Sequence, residues 1–285
     1  MNIYPLNEKL ELAYNIRKAI PSHPELFANW RQLSHASRLR VPSRLDLAYG
    51  KESSERLDLF LAGTNTPLHI FLHGGYWQAM DKADFSFLAE AWYDEGISFA
   101  ILNYGLCPDV TIDVIVSQAR KAWLWLQNHA RELGLDSTRF QVSGHSAGGH
   151  LAAVLQATTW VDYGATSDMP PIHSVVSVSG LFDLNPLLFT SINEKVGMDR
   201  ITAERNSPLT MMPMVDKPLI LAVGENESTE FHNQSDQLKK QWSSSLSQIH
   251  RLNLAGCNHL QALVELGRRE SDLFRIATEL LTKKS

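Results

Sequence analysis

The pentapeptide Gly144-His145-Ser146-Ala147-Gly148 constrains this chain more than any other stretch. It directly follows the β-rich run RFQVS (Arg139–Ser143) and directly precedes the helical run AGGHLAAVL. A strand, a glycine-flanked serine and a helix in immediate succession leave no room for a loop. The serine must sit on a sharp, strained turn, with side-chain-free residues where the strand and helix close around it. The turn presents Oγ at the carboxyl end of a strand. The N-terminus of the following helix favours negative charge at that point.

The remainder of the chain supplies the sheet such a turn needs. Short β-rich runs occur at Leu45–Tyr49, Arg56–Leu61, Leu68–Leu72, Ser98–Tyr104, Arg139–Ser143, Ser174–Ser179, Pro218–Val223 and Gln248–Leu254. Helical periodicity fills Phe85–Glu95, Ile112–Leu133, Ala147–Ala157, Glu230–Leu246 and Leu260–Lys283. In the second of these, Val116, Ala119, Trp123, Leu126 and Ala130 recur three or four apart, as one face of a helix does. Strand and helix in alternation predict an α/β fold, a mostly parallel eight-stranded sheet with helices on both faces. The first β-runs have no helix between them and are expected to form an antiparallel edge. Residues 1–44 mix helical periodicity with Pro21, Pro24 and Pro42, and read as one or two covering helices. The connection 181–213 is too long for an ordinary loop and reads as a small lid over the carboxyl end of the sheet, where open α/β sheets bind ligands. One domain over 1–285 is expected.

Composition narrows the function classes. A net charge of -5 without a basic tract argues against nucleic acid as a partner. The two cysteines, Cys107 and Cys257, form no C-x-x-C pair and read as packing residues. The polar N-terminus lacks a signal-peptide core and no long apolar run spans a membrane, so a cytoplasmic protein is expected. A homodimer is allowed. No ligand spacing suggests a metal, and no cofactor is expected: His145 and His150 read as local packing and helix surface.

A second chemical motif, His73-Gly74-Gly75-Tyr76-Trp77, ends the run Leu68–Leu72. Its glycines allow close backbone approach to a substrate. Gly74, Gly75 and Ala147 are the expected N–H donors to an oxyanion. His73 reads as a structural residue pinning this loop. In this architecture the acid and then the base follow the serine in the chain. His259, after the last β-run, is the expected base, whereas His232 and His250 read as surface or structural. The acid is expected after the run Pro218–Val223, where Glu227 has the reach; Asp183 and Glu225 remain alternatives. Tyr76, Trp77, Phe182 and Phe189 are the expected substrate-facing aromatics, while Trp123 and Trp125 read as core and surface.

HGGYW, GHSAGGHLAA, SGLFDLNPLLFTSINE and GENESTEFHNQS together resemble the kynurenine formamidases (arylformamidases), a branch of the α/β-hydrolase superfamily, over roughly residues 40–275. The first two motifs specify the superfamily, and the last two point to the branch. The resemblance implies an α/β-hydrolase fold and a triad at Ser146, Glu227 and His259. The family usually has aspartate where Glu227 stands, and often an aromatic residue where Leu260 stands. It further implies a serine hydrolase that cleaves a small acyl group from an aromatic amide or ester, foremost N-formylkynurenine to kynurenine and formate. The alternative is a carboxylesterase or aryl-acylamidase acting on another acylated aromatic. A non-catalytic binding protein on the same scaffold would be expected to have lost one of the three residues.

Overall fold

All eight strands join a single sheet, ordered β1-β2-β4-β3-β5-β6-β7-β8, in a computed structural model that describes residues 4–283. The ends of the expected 1–285 domain, residues 1–3 and 284–285, lie outside the described residues. The strands are β1 (Ser43–Ala48), β2 (Arg56–Phe60), β3 (Thr66–Leu72), β4 (Ser98–Leu102), β5 (Leu135–His145), β6 (Ser174–Val178), β7 (Leu219–Gly224) and β8 (Ile249–Leu254). β1 pairs antiparallel with β2, and β2 with β4; every other pairing is parallel. The antiparallel edge is thus where helix-free connections require it. β7 shows why its run reads as continuously apolar: Leu219, Leu221 and Val223 feed one core, while Ile220 and Ala222 feed the other.

Helices cover both faces. On one lie α5 (Ile112–Leu133), α6 (Ala147–Gln156) and α9 (Thr229–Trp242); on the other lie α3 (His23–Arg40), α4 (Ala89–Asp94), α10 (His259–Val264) and α11 (Asp272–Thr282). α5 begins where Thr111 accepts from the N–H of Val114 and ends at left-handed Gly134, so its boundaries are local chemistry. The expected single helix Leu260–Lys283 is instead two. A 3-10 turn, Glu265–Gly267, packs on α4, where Trp92 Nε1 donates to the Leu266 carbonyl at 3.1 Å. Ser271 then restarts the helix by accepting from the N–H of Phe274.

Before the sheet the described residues form three helices rather than one or two: α1 (Glu8–Tyr14), α2 (Ile16–Ala19) and α3. Residues 181–213 form short helical pieces, among them α7 (Asn193–Val196) and α8 (Arg200–Arg205). The two segments are joined by the buried carboxylate of Glu11, which accepts from Ser191 N and Oγ at 2.9 Å, Asn15 Nδ2 at 2.8 Å and Lys18 Nζ at 2.7 Å. Among the described residues no helix is long and apolar enough to cross a membrane.

Candidate active site

The turn at Ser146 has the strain its sequence implies, with φ 57° and ψ -119°. It is held by Ser146 N–H donating to Val178 O at 2.8 Å and His150 N–H donating to Ser146 O at 3.1 Å. The glycines are steric requirements. A Cβ on Gly144 would lie 2.1 Å from Gly148 O, and one on Gly148 would lie 1.9 Å from Leu72 O.

β3 brings the second loop beside this turn: a Cβ on Gly74 would stand 3.2 Å from the Ser146 Cβ. The loop is held from behind. His73 Nδ1 lies 2.8 Å from Gly74 O, Tyr104 Oη donates to His73 O at 2.6 Å, and the two rings stack at 4.4 Å. Burial lowers the His73 imidazole to about 4, so it stays neutral and donates through Nδ1. Among the described residues the N–H groups of Gly74, Gly75, Tyr76 and Ala147 have no hydrogen-bond partner. Tyr76, not among the N–H groups expected from the sequence, has the same unpaired N–H as the two glycines before it.

β7 and β8 deliver a carboxylate and an imidazole to the same end. Glu227 Oε2 lies 2.6 Å from His259 Nδ1, while Oε1 accepts from Ser179 Oγ at 2.5 Å and from Gly224 N at 2.7 Å. Burial opposes the charge on Glu227. The His259 ring, the Ser179 hydroxyl and the Gly224 N–H outweigh it and hold the carboxyl below its usual range. With Nδ1–H donating to Glu227, the Nε2 lone pair of His259 is free. The two alternative acids are engaged elsewhere. Asp183 accepts from Asn185 N and Nδ2 at 3.0 Å, and Glu225 accepts from Gly256 N at 2.7 Å.

His259 opens α10, which is capped reciprocally by Asn258 and Gln261. Its ring rests 4.5 Å from that of buried Phe231, and its carbonyl lies 2.9 Å from His145 Nε2. Burial, followed by the neighbouring His259, lowers His145 to about 3. A neutral His145 donating through Nε2 therefore holds the backbone of His259.

Ser146, His145, His259, Gly74 and Gly75 all line one cavity of about 350 Å³. Its apolar wall departs from expectation. Tyr76 lines it, its hydroxyl donating to Tyr14 O. Trp77 does not: fully buried, it meets His150 edge-on at 5.1 Å. Phe182 is also fully buried, its backbone N–H held by Gln234 Oε1 at 2.7 Å. Phe189 packs on Tyr4 at 5.5 Å, away from the cavity. These three expected substrate-facing residues are contacts that secure the loop and the 181–213 segment. The wall comes instead from Phe27 and Trp30 on α3, with Phe85, Met80, Ile16 and Leu260. Two aromatics three residues apart on a polar helix, Phe27 and Trp30, were the available signal.

The BD-FAE family matches residues 57–242. A kynurenine formamidase of Salmo salar is 35% identical over 210 residues, 70% of this chain and 69% of that protein. One of Danio rerio is 29% identical over 97% of each chain. Among solved structures, a thioesterase candidate from Silicibacter sp. TM1040 superposes with a TM-score of 0.82 at 32% identity, covering 94% of this chain and 98% of that one. With a serine turn, a glycine loop and an imidazole–carboxylate pair at the carboxyl end of an eight-stranded sheet, the chain belongs to the kynurenine formamidase family of α/β-hydrolases.

Proposed function

We propose that the chain hydrolyses N-formylkynurenine to kynurenine and formate, with Ser146 as nucleophile. The observation that carries the reading is the pair His259 Nδ1–Glu227 Oε2, at 2.6 Å, whose imidazole lines the same aromatic-walled cavity as Ser146. His259 Nε2 takes the proton of Ser146 Oγ as the oxygen attacks the formyl carbon. Glu227 keeps His259 in the required tautomer and stabilises the imidazolium. The oxyanion is held by Ala147 N–H and the N–H groups of the loop Gly74, Gly75 and Tyr76. His259 then protonates the departing aryl nitrogen. Water, deprotonated by the same imidazole, releases formate from Ser146.

The test is release of kynurenine from N-formylkynurenine by the purified protein and by Ser146→Ala. Wild-type turnover and its loss in the variant support the reading. Retained turnover in Ser146→Ala would sink it. The alternative, an esterase or acylamidase acting on another acylated aromatic, uses the same residues, and the similar Silicibacter structure is described as a thioesterase. Higher kcat/KM on a phenyl ester or an acyl thioester than on the formamide, in the same assay, would replace the first reading with the second.

A further inference from the structure

The cavity lining is chemically divided. Its apolar part comes mainly from α3 and the Met80–Phe85 region, whereas Asn15, Arg17, Ser191, Glu194 and Lys195 supply polar atoms. These five residues come from the two segments that Glu11 pins together through Asn15 and Ser191, so they form one side of the opening. Among the described residues, the side chains of Arg17, Glu194 and Lys195 have no ion-pair or hydrogen-bond partner. All three are exposed, and they stand at the rim. Some exposed arginines are paired, as Arg40 is with Glu90 and Asp94, Arg205 with Asp113 and Arg275 with Asp272; what sets Arg17 and Lys195 apart is their place on the cavity. Two unpaired cations and one unpaired anion beside a cavity holding a nucleophile match the charges of an amino-acid zwitterion.

We infer that Arg17 and Lys195 read the carboxylate, and Glu194 the ammonium, of an α-amino-acid head group on the aromatic substrate. The inference rests on the deformylase reading and adds to it the residues that select an amino-acid formamide over a plain aryl formamide. The guanidinium offers a planar fork to a carboxylate, and the lysine adds a second, mobile charge. The aryl ring then lies against Phe27 and Trp30, with the formyl carbon at Ser146.

The experiment compares N-formylkynurenine with 2′-formamidoacetophenone, which keeps the ring, ketone and formamide but lacks the amino-acid end. In Arg17→Gln/Lys195→Gln the ratio of their kcat/KM values should fall about tenfold, through KM. Arg17→Lys/Lys195→Arg should recover most of that ratio, and added salt should raise KM for the zwitterion in wild type. A ratio within about twofold of wild type in the double variant would overturn the inference and leave the deformylase reading intact. A wild-type protein inactive on both formamides would overturn both. Should the double variant misfold, Glu194→Gln supplies a second arm with the decarboxylated amine of the substrate. Its selectivity over 2′-formamidoacetophenone should drop, and an unchanged value would remove Glu194 from the proposal.

Discussion

At Ser146 the backbone and the chemistry are set against each other. Its φ of 57° and ψ of -119° lie where non-glycine residues rarely sit, at a cost of about 1–3 kcal/mol. The geometry persists because Gly144 and Gly148 let β5, α6 and β3 close around it. Ser146→Ala should therefore abolish turnover with little change in melting temperature, since alanine has the same strain. Ser146→Gly should be inactive yet more stable than Ser146→Ala by about 1 kcal/mol, measured by urea unfolding. Equal stability would mean that the turn is not strained. The acid is open to the same kind of test. Glu227→Gln removes the charge that faces the imidazolium and should lower kcat by about four orders of magnitude. Asp183→Asn and Glu225→Gln, whose carboxylates bond Asn185 and Gly256, should leave kcat near wild type. Ser179→Ala should fall between, because it deprives Glu227 of the 2.5 Å hydroxyl donor but leaves the Gly224 N–H. A larger loss in Asp183→Asn than in Glu227→Gln would reassign the acid.

Among the elements, the N-terminal helices do more than cover the sheet. They deliver Asn15, Arg17, Phe27 and Trp30 to the cavity, and Glu11 fastens them to Ser191. Burial opposes the charge on Glu11, but Lys18, the Ser191 N–H and hydroxyl and Asn15 hold its carboxyl at about 2. A carboxyl depressed in the folded state adds stability that is complete above its unfolded value. That stability is lost as pH falls from about 4.5 to about 2. Glu11→Gln should thus lower the melting temperature at neutral pH, and the gap to wild type should close through that acid window. A gap that is the same at pH 7 and pH 2 would refute the ion pair's role. How far the sequence could be read follows from what sets each element. The buried strands are continuous apolar runs, and α5 has both a polar cap and a glycine stop, so their positions are written locally. The Ser146 turn and the glycine loop are likewise local. The break in the last helix is not, because Trp92 and Leu88 on the far side of a tertiary contact impose it. Nor is the cavity wall: α3 shows Phe27 and Trp30 as covering residues, but only packing decides that they cover this opening. Trp77, beside the glycine loop, is turned inward by its φ of 56° against His150, which no spacing rule encodes.

For the whole molecule, the volume and the origin of the cavity decide which substrates it takes. A cavity of about 350 Å³ is near the lower limit for small-molecule sites. It is closed by the N-terminal helices and the 181–213 segment, which Glu11 ties together, rather than by a free-standing flap. Aromatic side chains line one part of the cavity and charged side chains another. His145, Gly74 and the α10 residues His259 and Leu260 also line the cavity, and each is fixed: His145 to the His259 carbonyl, Gly74 to His73 Nδ1, α10 by its reciprocal cap. A formyl group needs no acyl pocket, and its carbonyl is open to attack. Each methylene that fits an apolar pocket changes selectivity by only about 1–3 kcal/mol, so a strong preference for formyl requires exclusion rather than better contact. On a common aryl amine, kcat/KM should therefore fall from formyl to acetyl and be lower for octanoyl than for formyl by at least about 100-fold. Phe27→Ala, which opens the wall at a half-buried position, should raise KM for the aromatic formamide by about tenfold, because the ring loses one apolar face of the wall. Steady-state kinetics over the acyl series, on wild type and Phe27→Ala, measure both effects. If octanoyl is hydrolysed faster than formyl by the wild-type protein, the acyl side is open, and the site is that of a long-acyl esterase or amidase.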